Sequence, residues 1–480
     1  MTTLLISLAV LIGGYFIYGL LVEKVFGVNP KRLTPAYSKS DGIDFIVMPT
    51  WKVFLIQFLN IAGLGPIFGA IMGVMFGPAA FLWIVLGTIF GGAVHDFISA
   101  MMSLRHDGES LPEIVGRELG PVVKQTMRVI STVLLILVAA VFVLTPAGLI
   151  ASMTPDNLDT LFWICLIFFY YMLATLMPID KLIGKFYPIF GAALLFMALG
   201  LLYVLIFGGH TIPDGINEGL WNRHYAAEST PIFPMMFVSI ACGAISGFHA
   251  TQSPMMARCL KNEKLARPVF YGAMVAEGIV ALIWAAAAIT FTGGYDELAA
   301  YMGNGHSAGD LVHDISIAWL GTVGGVLAIL GVVAAPITTG DTALRSARLI
   351  VADFMHIPQA KLSKRLLVCI PVFAVTAGVM MIDFNVLWRY FAWTNQALAC
   401  ITLWAATVYL ARNRKMYVIT LVPALFMTTV VISYILYAPM PEGFGLGMPI
   451  ALSSAVAVDL IFLGLFILKV RSAQWISELS

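Results

Sequence analysis

Several residues of this 480-residue chain have the chemistry to bind or move an ion while lying inside long apolar runs. Glu277 sits in the middle of Ala273-Met274-Val275-Ala276-Glu277-Gly278-Ile279. A carboxyl group at membrane depth is seldom tolerated without a task. Three tasks are open to this one: proton carrier, ion ligand, or structural acceptor for unwound backbone nearby. His95 and Asp96 are neighbours in another run, where structural and gating roles are both open. His249 closes the stretch Ser246-Gly247-Phe248-His249. An unperturbed imidazole has its pKa near physiological pH, so this side chain could carry a proton, bind a solute, or act as a buried structural donor. Ser246 could hold a carboxylate or carbonyl, with Phe248 closing over it. Thr338 and Thr339 offer hydroxyl oxygens just before Gly340 and Asp341, a pattern that also suits an ordinary helix stop. Asp341 with Arg345 and Arg348 has the charges for a gate built on ion pairing.

Two interrupted elements must position these groups. The first runs through Asn60-Ile61-Ala62-Gly63-Leu64-Gly65-Pro66, the second through Ala241-Cys242-Gly243-Ala244-Ile245-Ser246-Gly247-Phe248-His249. Glycine and proline are poor helix formers, and both stretches lie midway through membrane-length apolar runs. Non-helical backbone at that depth is tolerated where it lines a cavity or is buried in protein. A helix restarting at Pro66 would aim free N–H groups at a solute, which suits a carboxylate. Gly63, Leu64, Gly65 and Pro66, with Gly243, Ser246, Gly247, Phe248 and His249, are the expected substrate-binding residues. The competing reading is close packing, since Gly65, Gly69, Gly73 and Gly77 form a small-residue stripe.

The composition fits this picture. The chain is 60% hydrophobic and 11% charged, against about 25% charged in soluble domains. The expectation is an all-α polytopic membrane protein. Apolar runs of spanning length fall at 3–22, 51–77, 79–104, 126–151, 159–177, 186–208, 231–257, 268–292, 312–339, 366–382, 385–410, 418–437 and 448–469. With thirteen spans, alternate connections carry nearly all the Lys and Arg residues, including Lys181 and Lys185; Arg223 and Arg389 are the exceptions. That asymmetry puts the N-terminus outside and the C-terminus in the cytoplasm. The first run lacks a leading Lys or Arg and a clear cleavage site, so it reads as a retained span. Five scattered cysteines suggest neither disulfides nor a zinc site.

The broken runs are the second and seventh spans and enter the membrane from opposite sides, as an inverted repeat requires. The expected layout is a leading span and loop over 1–50, repeats over 51–230 and 231–411, and two trailing spans over 412–480. This topology resembles the LeuT-type fold of the amino acid–polyamine–organocation superfamily. At residue level the stretches Ile61–Pro66, Ala93-Val94-His95-Asp96-Phe97, 241–250 and Tyr271-Gly272-Ala273-Met274, together with Asp341 and Arg345-Ser346-Ala347-Arg348, resemble the carbon starvation protein A family. The resemblance covers about residues 45–355, and His95 stands where the family pattern leads one to expect Gln. It implies a bacterial inner-membrane carrier for pyruvate or short peptides. The LeuT-type likeness further implies a sodium site between the first broken helix and the span 312–339, with Thr338, Thr339 and the Gly63 region as its oxygens.

The sequence therefore points to a cation-coupled, alternating-access importer of a small carboxylate or short peptide. Glu277, Asp96, His95 and Asp341 are the coupling or gating candidates, and Na⁺ or H⁺ the driving ion. An ion channel is the main rival. An intramembrane enzyme built on His249, His95 and Asp96 or Glu277 is the weaker one, because no phosphate-binding loop, metalloprotease motif or nucleophile elbow accompanies them. No cofactor and no nucleic-acid partner are expected, the lipid bilayer is, and oligomeric state is left open.

Overall fold

The computed structural model describes residues 1–151, 153–155, 157–177 and 183–479; Lys181 lies outside them. Among the described residues there is no strand. Nine helices among the described residues are long and apolar enough to cross a membrane, ten with one bent pair taken as a single span.

Helix α1 (Thr2–Phe26) is one unbroken apolar run. It stops at Gly27, whose φ of +73° suits glycine and whose N–H caps the Glu23 carbonyl. Helix α2 (Thr50–Ile61) then ends, and α3 (Gly65–Val74) departs at 55° to it. Pro66 has no N–H to extend the ladder, and a Cβ on Gly65 would collide with the Cys242 side chain. Next come α4 (Ala79–Arg105), the short α5 (Leu111–Leu119), α6 (Pro121–Ala151), α7 (Thr160–Leu176) and α8 (Ile183–Phe207). Asp159 caps α7 by accepting from the Phe162 N–H at 2.9 Å.

The second interruption follows. The short α9 (Phe237–Ser239) stops, residues 240–248 run as irregular turns, and α10 (His249–Ala257) resumes. Helix α11 (Glu263–Thr292) carries Glu277. Helix α3, the His95–Asp96 part of α4, and α11 are each entered through a wide π-helical turn, at Gly65–Gly69, Gly87–Gly92 and Arg267–Tyr271. Such turns gather at functional positions.

Helix α12 (Ala308–Phe354) departs from the expected 312–339 span. It begins at a Ser307–Asp310 capping box, kinks at Gly321 (φ +68°), and runs on through Asp341, Arg345 and Arg348. The Thr-Thr-Gly-Asp sequence does not stop it. Both threonine hydroxyls bond back to the Ala335 carbonyl one turn earlier. Gly340 is glycine for packing, because a Cβ there would strike the Tyr171 ring. Arg345 and Arg348 are thus helical and fully buried rather than loop residues. Helices α13 (Leu362–Val379), α14 (Phe384–Arg412), α15 (Val418–Tyr437) and α16 (Met448–Leu479) complete the chain. All five cysteines are free.

Candidate functional site

The two interruptions meet. Gly65 packs on Cys242, and a Cβ on Gly243 would lie 3.7 Å from the Pro66 Cα and 3.0 Å from the Ala281 Cβ. Further along α3, Gly69 faces the Ser239 carbonyl and Gly73 faces Ile240. The first three glycines of the stripe therefore pack against 239–242, the first also belonging to the break, while Gly77 (φ +101°) faces the Trp221 carbonyl instead. Gly63 lies against the Phe142 ring and the Thr339 hydroxyl. Leu64 is fully buried.

Helix α14 stitches the second break. The Asn395 carboxamide oxygen accepts from the Ser246 hydroxyl at 3.0 Å and from the Phe248 N–H at 2.7 Å. Its backbone carbonyl accepts from the Gly247 N–H at 3.1 Å. Gln396 donates to the Ile245 carbonyl at 3.2 Å, and Thr88 donates to the Gly243 carbonyl at 3.1 Å. Unwound backbone inside a membrane protein needs such partners. Asn395 and Gln396 thus act as helix bridges. Gly247 is required, since a Cβ would run into the Asn395 carbonyl and the Ala399 N–H.

Four titratable residues form one buried chain beside this junction. His95 Nδ1 lies 2.9 Å from one oxygen of Asp96, and His249 Nδ1 lies 3.0 Å from the other. His249 Nε2 then faces Glu277 Oε2 at 3.5 Å. None of these side chains is exposed to solvent. Asp96 accepts from both Nδ1–H groups, which fixes the histidine tautomers and leaves His249 Nε2 aimed at Glu277. Among the described residues neither Glu277 oxygen nor either histidine Nε2 has a hydrogen-bond partner. Buried polar atoms left open in this way are unusual. They suit a chain that takes up and hands on a proton. Residues 95–96, 249 and 277 stood apart in the sequence; the fold makes them consecutive.

Thr338 and Thr339 both face the end of α2, with their hydroxyls 3.3 and 3.1 Å from the Leu59 carbonyl. Three oxygens converge there, next to Gly63. Asp341 does not pair with Arg345 or Arg348. It accepts from the Tyr170 hydroxyl at 2.9 Å, and the Tyr187 hydroxyl lies 3.4 Å from its other oxygen.

The arginines reach instead for Asp44, in the loop between α1 and α2. Arg345 is 3.3 Å from one oxygen of that carboxylate and Arg348 3.2 Å from the other. Arg345 also donates to the carbonyls of Ala174 and Met177 at the end of α7, where the helix dipole favours a cation. Burial pushes the Asp44 carboxyl up, but Arg348, Arg345 and Arg258 outweigh burial and hold it below its ordinary range. Sequence reasoning missed Asp44. The signal was a lone carboxylate within the apolar run Ile43-Asp44-Phe45-Ile46-Val47-Met48.

A cavity of about 890 Å³ opens at the other end of these helices. Ser307 and Gly309, at the start of α12, line its mouth, and Phe68, Met72, Val238 and Ser239 line its wall beside the two breaks. At its rim Arg389 pairs with Glu442 at 2.6 Å. The expected substrate residues of the two breaks do not line this cavity; they are buried just below it. The molecule is open at one end and closed by the Asp44–arginine cluster at the other.

Comparison with known proteins places this architecture. The chain shares its fold with a crystal structure of an Eremococcus coleocola manganese transporter (TM-score 0.53, 14% identity, 90% of this chain and 99% of that one). It is 44% identical to an uncharacterized membrane protein of Haemophilus influenzae, over 59% of this chain and 89% of that one. It is 26% identical to the peptide transporter CstA of Bacillus subtilis, over 99% of this chain and 96% of that one. The pyruvate/proton symporter BtsT of Escherichia coli is 28% identical over 58% of this chain and 47% of its own length. The functions these names carry are transport, not catalysis. The family model for carbon starvation protein CstA matches residues 1–214, 149–320 and 285–434. The chain belongs to the carbon starvation protein CstA family.

Proposed function

We propose that the protein is a secondary carrier that brings a small carboxylate or a short peptide across the bacterial cytoplasmic membrane, driven by protons. The observation that carries this reading is the buried chain His95–Asp96–His249–Glu277 at the junction of two broken spans. Relatives named as a peptide transporter and a pyruvate/proton symporter support the substrate class and the ion. Three segments bring the ten apolar spans to thirteen: α7, the broken stretch 232–257, and α14. In this reading the repeats occupy 51–230 and 231–411 in a LeuT-like inverted arrangement, with the N-terminus outside and the cavity facing outward.

The mechanism follows from the geometry. Substrate enters the outer cavity and reaches the breaks, where the substrate-binding role falls to Gly63–Pro66 and Gly243–His249. A proton entering from the same side adds to the His249–Glu277 pair, while Asp96 holds the histidine in place. Loss of charge at Glu277 lets α11 move against α10 without carrying an ion across the bilayer. On the inner side the proton leaves past Gln252, whose carboxamide donates to Thr251 at 2.8 Å and to Ser346 at 3.3 Å. Sodium at Thr338, Thr339 and the carbonyls of Leu59 and Gly63 is a second reading, favoured by the three converging oxygens.

Uptake into proteoliposomes tests both. Labelled pyruvate and dialanine are offered under a pH gradient or a sodium gradient, imposed separately. The expected result is saturable uptake driven by the pH gradient, with counterflow exchange of the same solute. Uptake without saturation or counterflow would overturn the carrier reading in favour of a channel. Uptake that follows sodium alone would move the coupling site to the threonines.

A further inference from the structure

Two arginines sharing one carboxylate make an unusual lock. Arg345 and Arg348 are fully buried, yet their only carboxylate partner among the described residues is Asp44. Among the described residues Arg345 Nε, Arg348 Nε and one terminal nitrogen of Arg348 have no hydrogen-bond partner. A guanidinium offers five N–H donors in a fixed fork, and burying it with donors open is costly. The surroundings add positive charge. Arg258 lies nearby with its guanidinium over the Phe45 ring, and Arg365 donates to the Leu176 carbonyl. Asp341, on the same helix as the pair, is engaged by tyrosines. The cluster is short of negative charge and of acceptors, which is the chemistry of an anion site.

The present occupant is poorly suited to permanence. Asp44 belongs to a segment without helix between Ser38 and Thr50. That segment is held by the Met48 N–H on the Cys259 carbonyl at 3.3 Å and by the Cys259 thiol, 3.8 Å from the Asp44 carbonyl. It can withdraw without unwinding a helix. The pair also lies on α12 within three turns of the threonines that face the first break.

We propose that Arg345 and Arg348 form the site through which a substrate carboxylate leaves toward the cytoplasm, with Asp44 as a tethered stand-in while that side is closed. The ligand is a carboxylate, whether of a free small acid or of a peptide C-terminus. This rests on the carrier reading above. A departing carboxylate displaces Asp44 from the guanidinium forks, the loop swings out, and Asp44 returns once the solute has gone. The lock and the exit site are then the same two side chains.

Cys259 supplies a native reporter, since its buried thiol touches the loop that must move. The full-length protein in proteoliposomes is treated with a water-soluble maleimide on the cytoplasmic side, and Cys259 alkylation is read by mass spectrometry. Pyruvate and dialanine are compared with their uncharged amides. The expected result is a roughly threefold or greater acceleration by whichever carboxylate is transported, and none by its amide. Asp44→Asn removes the tethered competitor. It is expected to speed alkylation without ligand and to lower the half-saturating carboxylate concentration from the cytoplasmic side by about tenfold, about 1.4 kcal/mol. The value from the outside is expected to rise, because the outward-facing state loses the contact that closes its cytoplasmic side. A gate without an exit site would lower the inner half-saturation by no more than the factor by which alkylation speeds up, and equally for a transported solute without a carboxylate, and that outcome overturns the proposal. So does native protein that transports a carboxylate while Cys259 ignores it, a measurement needing no variant. Absence of any uptake would instead defeat the carrier reading itself.

Discussion

The two broken spans solve the same problem by different means. The first break holds no titratable side chain from Ile61 to Gly69 and is kept open by shape: Gly65 against Cys242, Gly69 against Ser239, Gly73 against Ile240. The second is kept open by hydrogen bonds from Asn395, Gln396 and Thr88, and it delivers His249 straight into the Asp96–Glu277 chain. One break is a surface set by close approach; the other is a polar assembly joined to a buried chain of titratable groups. Substitutions should therefore fail in different ways at the two.

The largest effect is expected at Gly65. Gly65→Leu drives a side chain into Cys242, where no flexible neighbour can yield, and should reduce uptake to background while the protein still inserts. Gly65→Ala should do nearly the same. Pairing it with Cys242→Gly removes the atoms that a new Cβ would hit, so the double variant should recover uptake in part. Normal transport by Gly65→Leu would break the comparison at once, because the first break would not depend on shape.

Glu277→Gln tests the other side. It keeps the volume of the side chain and removes its proton. Uptake driven by a pH gradient should fall at least about tenfold, equivalent to 1.4 kcal/mol, while counterflow at matched pH persists. Gln at 277 cannot take the extra proton, but it leaves the breaks unaltered. A variant with an intact pH profile would remove Glu277 from coupling and reduce the chain to a structural network.

How much of this was legible in the sequence differs between the breaks in the same way. Gly63, Gly65 and Pro66 announce the first because backbone chemistry is written in residue type. The residues of the second break were visible too, but not what they touch. His249 and Asp96 are 153 positions apart, and no periodicity links them. Asn395 is likewise 149 positions from the Ser246 hydroxyl it accepts from. Local pattern also misjudged α12: Thr338-Thr339-Gly340-Asp341 looks like a stop, yet tertiary partners on α2, α7 and α8 satisfy every group and the helix continues. Asp44 escaped notice because its meaning lies in two arginines some 300 residues away.

Asn395→Ala sharpens the comparison further. It strips the Ser246 hydroxyl and the Phe248 N–H of a shared acceptor, and leaving buried donors open costs about 1–3 kcal/mol each. The variant should unfold at a temperature several degrees lower in a thermal melt, with uptake reduced in proportion to folded protein at low temperature. Asn395→Asp keeps an acceptor oxygen and should lose less. Equal stability for Asn395→Ala and the parent would mean that the second break, like the first, is held by packing.

The smallest effect is expected at the place where the first break comes closest to polar chemistry. Thr338 and Thr339 turn their hydroxyls to the Leu59 carbonyl, the last turn of α2 before the backbone departs. Both hydroxyls also bond to Ala335 within their own helix, so neither depends on an ion to be satisfied. Replacing both with valine keeps their shape and removes two oxygens from the convergence. If sodium travels with the substrate, its half-saturating concentration should rise by about tenfold, corresponding to 1.4 kcal/mol, with the pH dependence set by Glu277 unmoved. Parent protein whose uptake ignores sodium would leave these hydroxyls as a purely structural clasp. The first break would then be governed by shape throughout, and the contrast with the second would be complete.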